Sequence, residues 1–154
     1  SMIPADAAAR FAEQGFLVLP GFVSPEACDR LRAHTESLVE AFDATTHRSL
    51  FTTNEQTRQA DDYFLTSGGQ IRFFFEEEAF DETQQLRQAK AHSINKIGHA
   101  QHDLDPEFER FSYTPELAAM MQALGMKRPQ MLQSMYIFKQ PYIGGEVTCH
   151  QDGT

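Results

Sequence analysis

The run Ile71-Arg72-Phe73-Phe74-Phe75 constrains this chain more than any other stretch. Side chains of an extended strand alternate between the two faces of a sheet, so three successive phenylalanines put aromatic bulk on both sides at once. Such a strand needs a layer on each face. Tyr63, Phe64 and Leu65 form an apolar run just before it, across Thr66-Ser67-Gly68-Gly69-Gln70, and the two runs read as a β-hairpin with a Gly-containing loop. Glu76, Glu77 and Glu78 read as a solvated edge.

A chain of 154 residues fits one domain with a core of its own. Ser1 and Met2 read as a tag remnant, which leaves 3–154 as the single domain. The longest apolar stretch, residues 16–23, is interrupted by Pro20 and Gly21 and falls short of the roughly 20 residues a membrane helix needs. With a mean hydropathy of −0.45, the chain is expected to be soluble. Two cysteines, Cys28 and Cys149, make no disulfide framework, and no secretory pattern opens the chain, so a reducing cytoplasm is expected. The 22 acidic and 13 basic side chains give a net charge of −9, which argues against a nucleic-acid partner. An anionic small molecule would have to be held by local cations against that field.

Along the chain, residues 4–13 read as a helix ended by Gly15, and 16–19 as a short strand. Ser24-Pro25-Glu26 is a helix start, with Ser as N-cap and Pro in the first turn. Cys28, Leu31, Thr35, Leu38, Val39 and Phe42 follow at helical spacing and are expected in the core. Residues 43–61 are polar and unperiodic, a long loop with His47 in solvent and a candidate lid over a site. Residues 93–102 read as a short helix capped by Ser93, with His99 and His102 on one face as surface or satisfied core histidines. Asp105-Pro106-Glu107 and Thr114-Pro115-Glu116 start two more helices, the second ending at Gly125. Residues 129–139 alternate with apolar side chains in both sets, an interior strand, and 146–148 lead a further strand into His150.

His150-Gln151-Asp152 is the constellation that reads as chemistry. On a strand His150 and Asp152 share a side and Gln151 points away, so an imidazole and a carboxylate converge on one point. That pair is two-thirds of the 2-His-1-carboxylate triad that holds non-haem Fe(II) with coordination positions left open. The same residues also fit a solvated loop. Phosphate-binding glycine loops, CxxC pairs and G-x-S-x-G elbows do not occur.

Several stretches together resemble the phytanoyl-CoA dioxygenase-like Fe(II)/2-oxoglutarate oxygenases. They are QGFLVL at 14–19, DYFL at 62–65, IRFFFE at 71–76, SINKIGHA at 93–100, QSMYIFKQP at 133–141, GGEV at 144–147 and HQD at 150–152. The resemblance implies an α+β fold in which N-terminal helices pack on the first part of a double-stranded β-helix of the jelly-roll or cupin kind. It implies metal ligation by His150 and Asp152, and a 2-oxoglutarate site drawing on Lys96, Met135, His150, Gln151 and Asp152. It further implies Fe(II), 2-oxoglutarate and O₂ as the reacting set and hydroxylation of a small-molecule or acyl substrate. The family's distal histidine, and the arginine that pairs with the co-substrate's far carboxylate, have no counterpart in these 154 residues. The match is to the front half of such an enzyme, so the chain is expected to be truncated. It is then expected to leave Phe73, Phe74 and Phe75 and the sheet edges uncovered, and to self-associate.

Two other classes make distinct expectations. A catalytically inactive fragment serving as a structural or interaction module would show no response to metal or 2-oxoglutarate. A hydrolase built on Cys149 would need a base within hydrogen-bond reach, and on a strand His150 would face away from its neighbour.

Overall fold

The computed structural model describes residues 3–46, 48–50 and 61–151. Helix α1 covers Ala7–Gln14 and closes on Gly15, whose φ of 79° is the left-handed conformation glycine adopts at a helix end. Helix α2, Pro25–Ala41, starts as expected: Ser24 Oγ accepts from the Ala27 N–H at 3.2 Å. Between them residues 16–19 form no strand. They have no pairing partner among the described residues, and Phe16 and Val18 lie exposed, because β-rich composition makes a strand only where an edge is offered.

Helix α3 (Asp62–Leu65) and a 3₁₀ turn (Ser67–Gly69) lead into β1, Ile71–Phe75. The expected hairpin is therefore absent. Asp61 caps Phe64 N–H, Arg72 Nη1 bonds the Tyr63 carbonyl and Thr66 Oγ1, and these contacts favour a helical turn over an extended run. The partner of β1 is β2, Ile94–His99, and β3 (Ser134–Ile137) completes an antiparallel sheet of order β1-β2-β3.

Residues 93–102 are thus a central strand followed by a four-residue helix, α4 (Gln101–Leu104), rather than one helix. Every residue of β2 is buried, since it is flanked on both edges, and this outweighs the local helical pattern. Ser93 Oγ donates to the Gln88 and Ala89 carbonyls instead of capping a helix. Helices α5 (Pro106–Ser112) and α6 (Pro115–Ala123) have the expected caps, from Asp105 Oδ1 to the Glu107 and Phe108 N–H groups and from Thr114 Oγ1 to Leu117 N–H. The chain turns at Gly125, in the left-handed region.

The 129–139 run departs from expectation: only Ser134–Ile137 is a strand, and it is an edge strand. Residues 146–148 form no strand. Cys28 is exposed, on the solvent side of α2, while Thr35 and Val39 of the same helix are buried. His47 and the centre of the 43–61 segment lie outside the described residues. At the ends of that segment, Phe75 N–H donates to the Ser49 carbonyl at 2.9 Å and Asp61 Oδ2 accepts from Ser49 Oγ.

The core sits between α2 and one face of the sheet. Paired residues in an antiparallel ladder share a face, which places Phe73, Ile97 and Tyr136 together. Val39, Leu38 and Phe42 pack on them, with Phe42 stacked on Phe73 at 4.3 Å between centroids. On the opposite face Phe74 meets Tyr63 and Phe64 edge-on. Phe73, Phe74 and Phe75 are therefore all buried, contrary to the expectation that they would lie uncovered. Two aromatic layers built from α2 and α3 satisfy the two-faced strand.

Candidate active site

The second face of the sheet carries the candidate site. The register Arg72↔Gly98↔Met135 and Phe74↔Lys96↔Ile137 places all six residues on it. Lys96 lies at the middle of β2 and is only 8% exposed, a degree of burial rare for lysine. Its Nζ lies 5.2 Å from the Phe64 ring centroid and 5.4 Å from that of Phe74, so two ring faces help to hold the ammonium. Gly98 leaves room beside it: a Cβ there would meet Met135 Cγ at 3.6 Å. Met135 is 47% exposed, as an edge-strand residue on an open face.

Polar groups fix the surroundings of this lysine. His99 Nδ1 and Ser67 Oγ are 2.7 Å apart, and Phe64 stands at 90° to the His99 ring. Burial first, and the Lys96 charge second, push the His99 pKa down to about 4, so the imidazole is neutral at physiological pH. Arg72 stacks over Tyr63 at 4.6 Å. His102 Nδ1 and Ser134 Oγ are also 2.7 Å apart. Both histidines are thus satisfied core groups, one ending β2 and the other on α4, and do not pair as a metal site. Glu76, expected at a solvated edge, has a network of partners. Glu76 is fully buried, and its Oε2 accepts from Asn95 Nδ2 at 3.0 Å and from Gly145 N–H at 2.9 Å. Charge alone masks such a residue; its position directly after three strand phenylalanines was the available signal.

His150 and Gln151 lie exposed on a segment without regular structure, so the strand alternation expected to align His150 with Asp152 does not apply. Asp152 lies outside the described residues. His150 Nδ1 is 2.7 Å from the Thr148 carbonyl, which can only accept, so Nδ1 carries a proton. An Nδ1–H held by a carbonyl is the arrangement that orients a ligating histidine. Among the described residues no group of three His, Cys, Asp or Glu side chains gathers in metal-binding proximity. The structure therefore brings Lys96 and Met135 together on one sheet face and leaves His150 on a separate, exposed segment. Cys149, beside it, is an exposed thiol.

Comparison with known families gives a match to "Phytanoyl-CoA dioxygenase (PhyH)" over residues 11–154. The chain belongs to the phytanoyl-CoA dioxygenase family. It is 46% identical over 150 residues to the zebrafish (Danio rerio) phytanoyl-CoA dioxygenase domain-containing protein 1, covering 94% of this chain and 52% of that protein. It is 45% identical over 144 residues to phytanoyl-CoA dioxygenase of Arabidopsis thaliana, covering 94% of this chain and 50% of that protein. The corresponding domain-containing protein 1 homologue of Caenorhabditis elegans is 40% identical over 147 residues. The chain spans about half the length of these curated relatives. The phytanoyl-CoA dioxygenase match takes in the whole sheet and both candidate segments, and the α+β architecture with a small antiparallel sheet is compatible with part of that family's fold. Among the described residues no helix is long and apolar enough to cross a membrane.

Proposed function

We propose that the protein is an Fe(II)/2-oxoglutarate-dependent dioxygenase that hydroxylates a small-molecule or acyl substrate, with its three-stranded sheet forming part of a double-stranded β-helix. The observation that carries the reading is Lys96: a buried ammonium on an open sheet face, beside Met135, in a chain of the phytanoyl-CoA dioxygenase family. In a chain of net charge −9, a cation sheltered by aromatic rings is the local attraction a dicarboxylate requires.

The donor chemistry fits the implied metal. His150 would present Nε2, oriented by the Thr148 carbonyl at Nδ1, and Asp152 would add a carboxylate. Bound Fe(II) and 2-oxoglutarate would together supply the activation of O₂. The chain's own work is binding and orientation. Lys96 would pair with a co-substrate carboxylate, Met135 would wall the site with a polarizable apolar side chain, and Gln151 would border it. Phe64 and Phe74 keep water from Lys96, and neutral His99 adds no competing positive charge.

The test is thermal stability with Mn(II) and 2-oxoglutarate. Ligands that bind the folded form raise stability by about 2.7 kcal/mol at a hundredfold excess over Kd. Wild type should show a saturable rise requiring both ligands, and His150→Ala should lose it. No response in wild type would instead favour a module without catalytic function.

A further inference from the structure

We infer that Glu76 is a positioning residue: its buried carboxylate fixes the turn from which the chain runs on to His150 and ties that turn to the strand that carries Lys96. The inference rests on the dioxygenase reading for what the turn positions, and on hydrogen-bond geometry for the tie itself.

Glu76 follows the last residue of β1, and its backbone N–H donates to the Ser93 carbonyl at 2.8 Å, so its main chain is locked across the sheet. Its side chain then reaches two separate segments through one oxygen. Asn95, which donates from Nδ2, lies where the β1–β2 register shifts, and Lys96 is the next residue. Gly145, which donates its backbone N–H, lies two residues past the turn at 141–143 and five positions before His150. That turn is docked rather than loose. A Cβ at Gly144 would fall 2.5 Å from the Gln140 carbonyl oxygen, closer than side-chain carbons stand, so only glycine fits there. Ile143 packs against the core cluster, and Gln140 Nε2 donates to the Ile94 carbonyl at 2.8 Å.

The second carboxylate oxygen is the telling atom. Glu76 Oε1 is buried without a hydrogen bond to any described residue. An unsatisfied buried acceptor costs free energy, so a carboxylate at this place is a poor choice for packing alone. It is a good choice for gathering two N–H donors from two segments at one point. Groups bonded directly to metal-ligating side chains are worth about 10–100-fold in metal affinity; Glu76 acts one step further out, on the backbone that leads to His150.

The experiment compares wild type with Glu76→Gln, Glu76→Asp and Asn95→Ala in the whole protein. A glutamine keeps an acceptor oxygen at the same reach, whereas aspartate is one methylene too short to meet both donors. Hydrogen exchange without ligand should rise at 141–151 in Glu76→Asp, remain near wild type in Glu76→Gln, and stay unchanged in α2 and α5. Mn(II) binding, followed through the free-ion EPR signal with 2-oxoglutarate present, should weaken at least about tenfold in Glu76→Asp and less than about threefold in Glu76→Gln. Asn95→Ala keeps the carboxylate and should loosen 141–151 less than Glu76→Asp does, which tests the tie if the shorter acid folds poorly. Exchange that rises evenly along the chain, or unchanged 141–151 exchange in Glu76→Asp, would overturn the inference. Absence of Mn(II) binding by wild type would instead sink the dioxygenase reading, and the exchange pattern alone would then decide whether Glu76 holds the turn.

Discussion

The two faces of the sheet are built from the same three strands and serve opposite ends. On the α2 side Phe73, Ile97 and Tyr136 are covered by Val39, Leu38 and Phe42, an apolar layer whose stability is burial. On the other side Phe74 and Phe64 are spent on shielding a lysine, and Met135 and Ile137 stay about half exposed. One face is closed by an apolar layer and the other carries a lysine sheltered by two rings. On the proposed reading, the difference teaches that a strand's alternation can divide structure from function at single-residue spacing.

The largest expected effect breaks the comparison on the core side. Phe75→Ala removes a fully buried ring that contacts Phe42 and Phe80, and should cost about 3–5 kcal/mol in denaturant unfolding. A loss under about 1 kcal/mol would mean that the α2 face is not the stabilising one.

Next comes the clasp that fastens α2 to α5. His34 Nε2 lies 2.7 Å from Asp105 Oδ2, while Asp105 Oδ1 caps α5. Burial alone would raise the Asp105 carboxyl, but the His34 bond and the two backbone N–H bonds bring it below the ordinary carboxylate range. Asp105→Ala should cost about 1–2 kcal/mol through the lost cap and bond, read as a shift of the urea midpoint. An unchanged midpoint would remove the clasp from the account.

A pH series sharpens the Lys96 side. His99 has a folded pKa of about 4 against 6.5 when unperturbed, so the unfolded chain binds the extra proton between those values. Stability is therefore fully present above pH 6.5 and falls as pH drops toward 4, with a slope of at most about 1.4 kcal/mol per pH unit from this group. His99→Asn should flatten that part of the curve. An equally steep fall in the variant would assign the effect to other groups. The smallest effect is at Cys28, on the solvent side of α2, where Cys28→Ser should move stability by less than about 0.5 kcal/mol.

What the sequence disclosed followed the range of the forces involved. Ser24-Pro25, Asp105-Pro106 and Thr114-Pro115 announced their helices because capping is local chemistry, complete within four residues. Residues 93–102 misled because β2 is a strand only by virtue of β1 and β3, which lie far away in sequence. Tyr63, Phe64 and Leu65 misled for the converse reason: an apolar run became one helical turn once Asp61 and Arg72 satisfied its backbone. At the site, the roles given to Lys96 and Met135 came from family resemblance, and no pattern in the residues foretold their shared face. The His150 expectation assumed a strand that the described residues do not form, and Asp152 lies outside them. Glu76 was hidden because an acidic triplet looks solvated until three-dimensional packing buries its first member.

The central claim, that the Lys96 face serves a co-substrate rather than the fold, is tested most directly by titrating Mn(II)-loaded wild type and Lys96→Met with 2-oxoglutarate. Methionine fills similar volume without the charge. The account expects Lys96→Met to remain folded while binding 2-oxoglutarate at least about tenfold more weakly, a loss of about 1.4 kcal/mol. Equal affinity in the two proteins, or a variant that unfolds while wild type binds nothing, would contradict it.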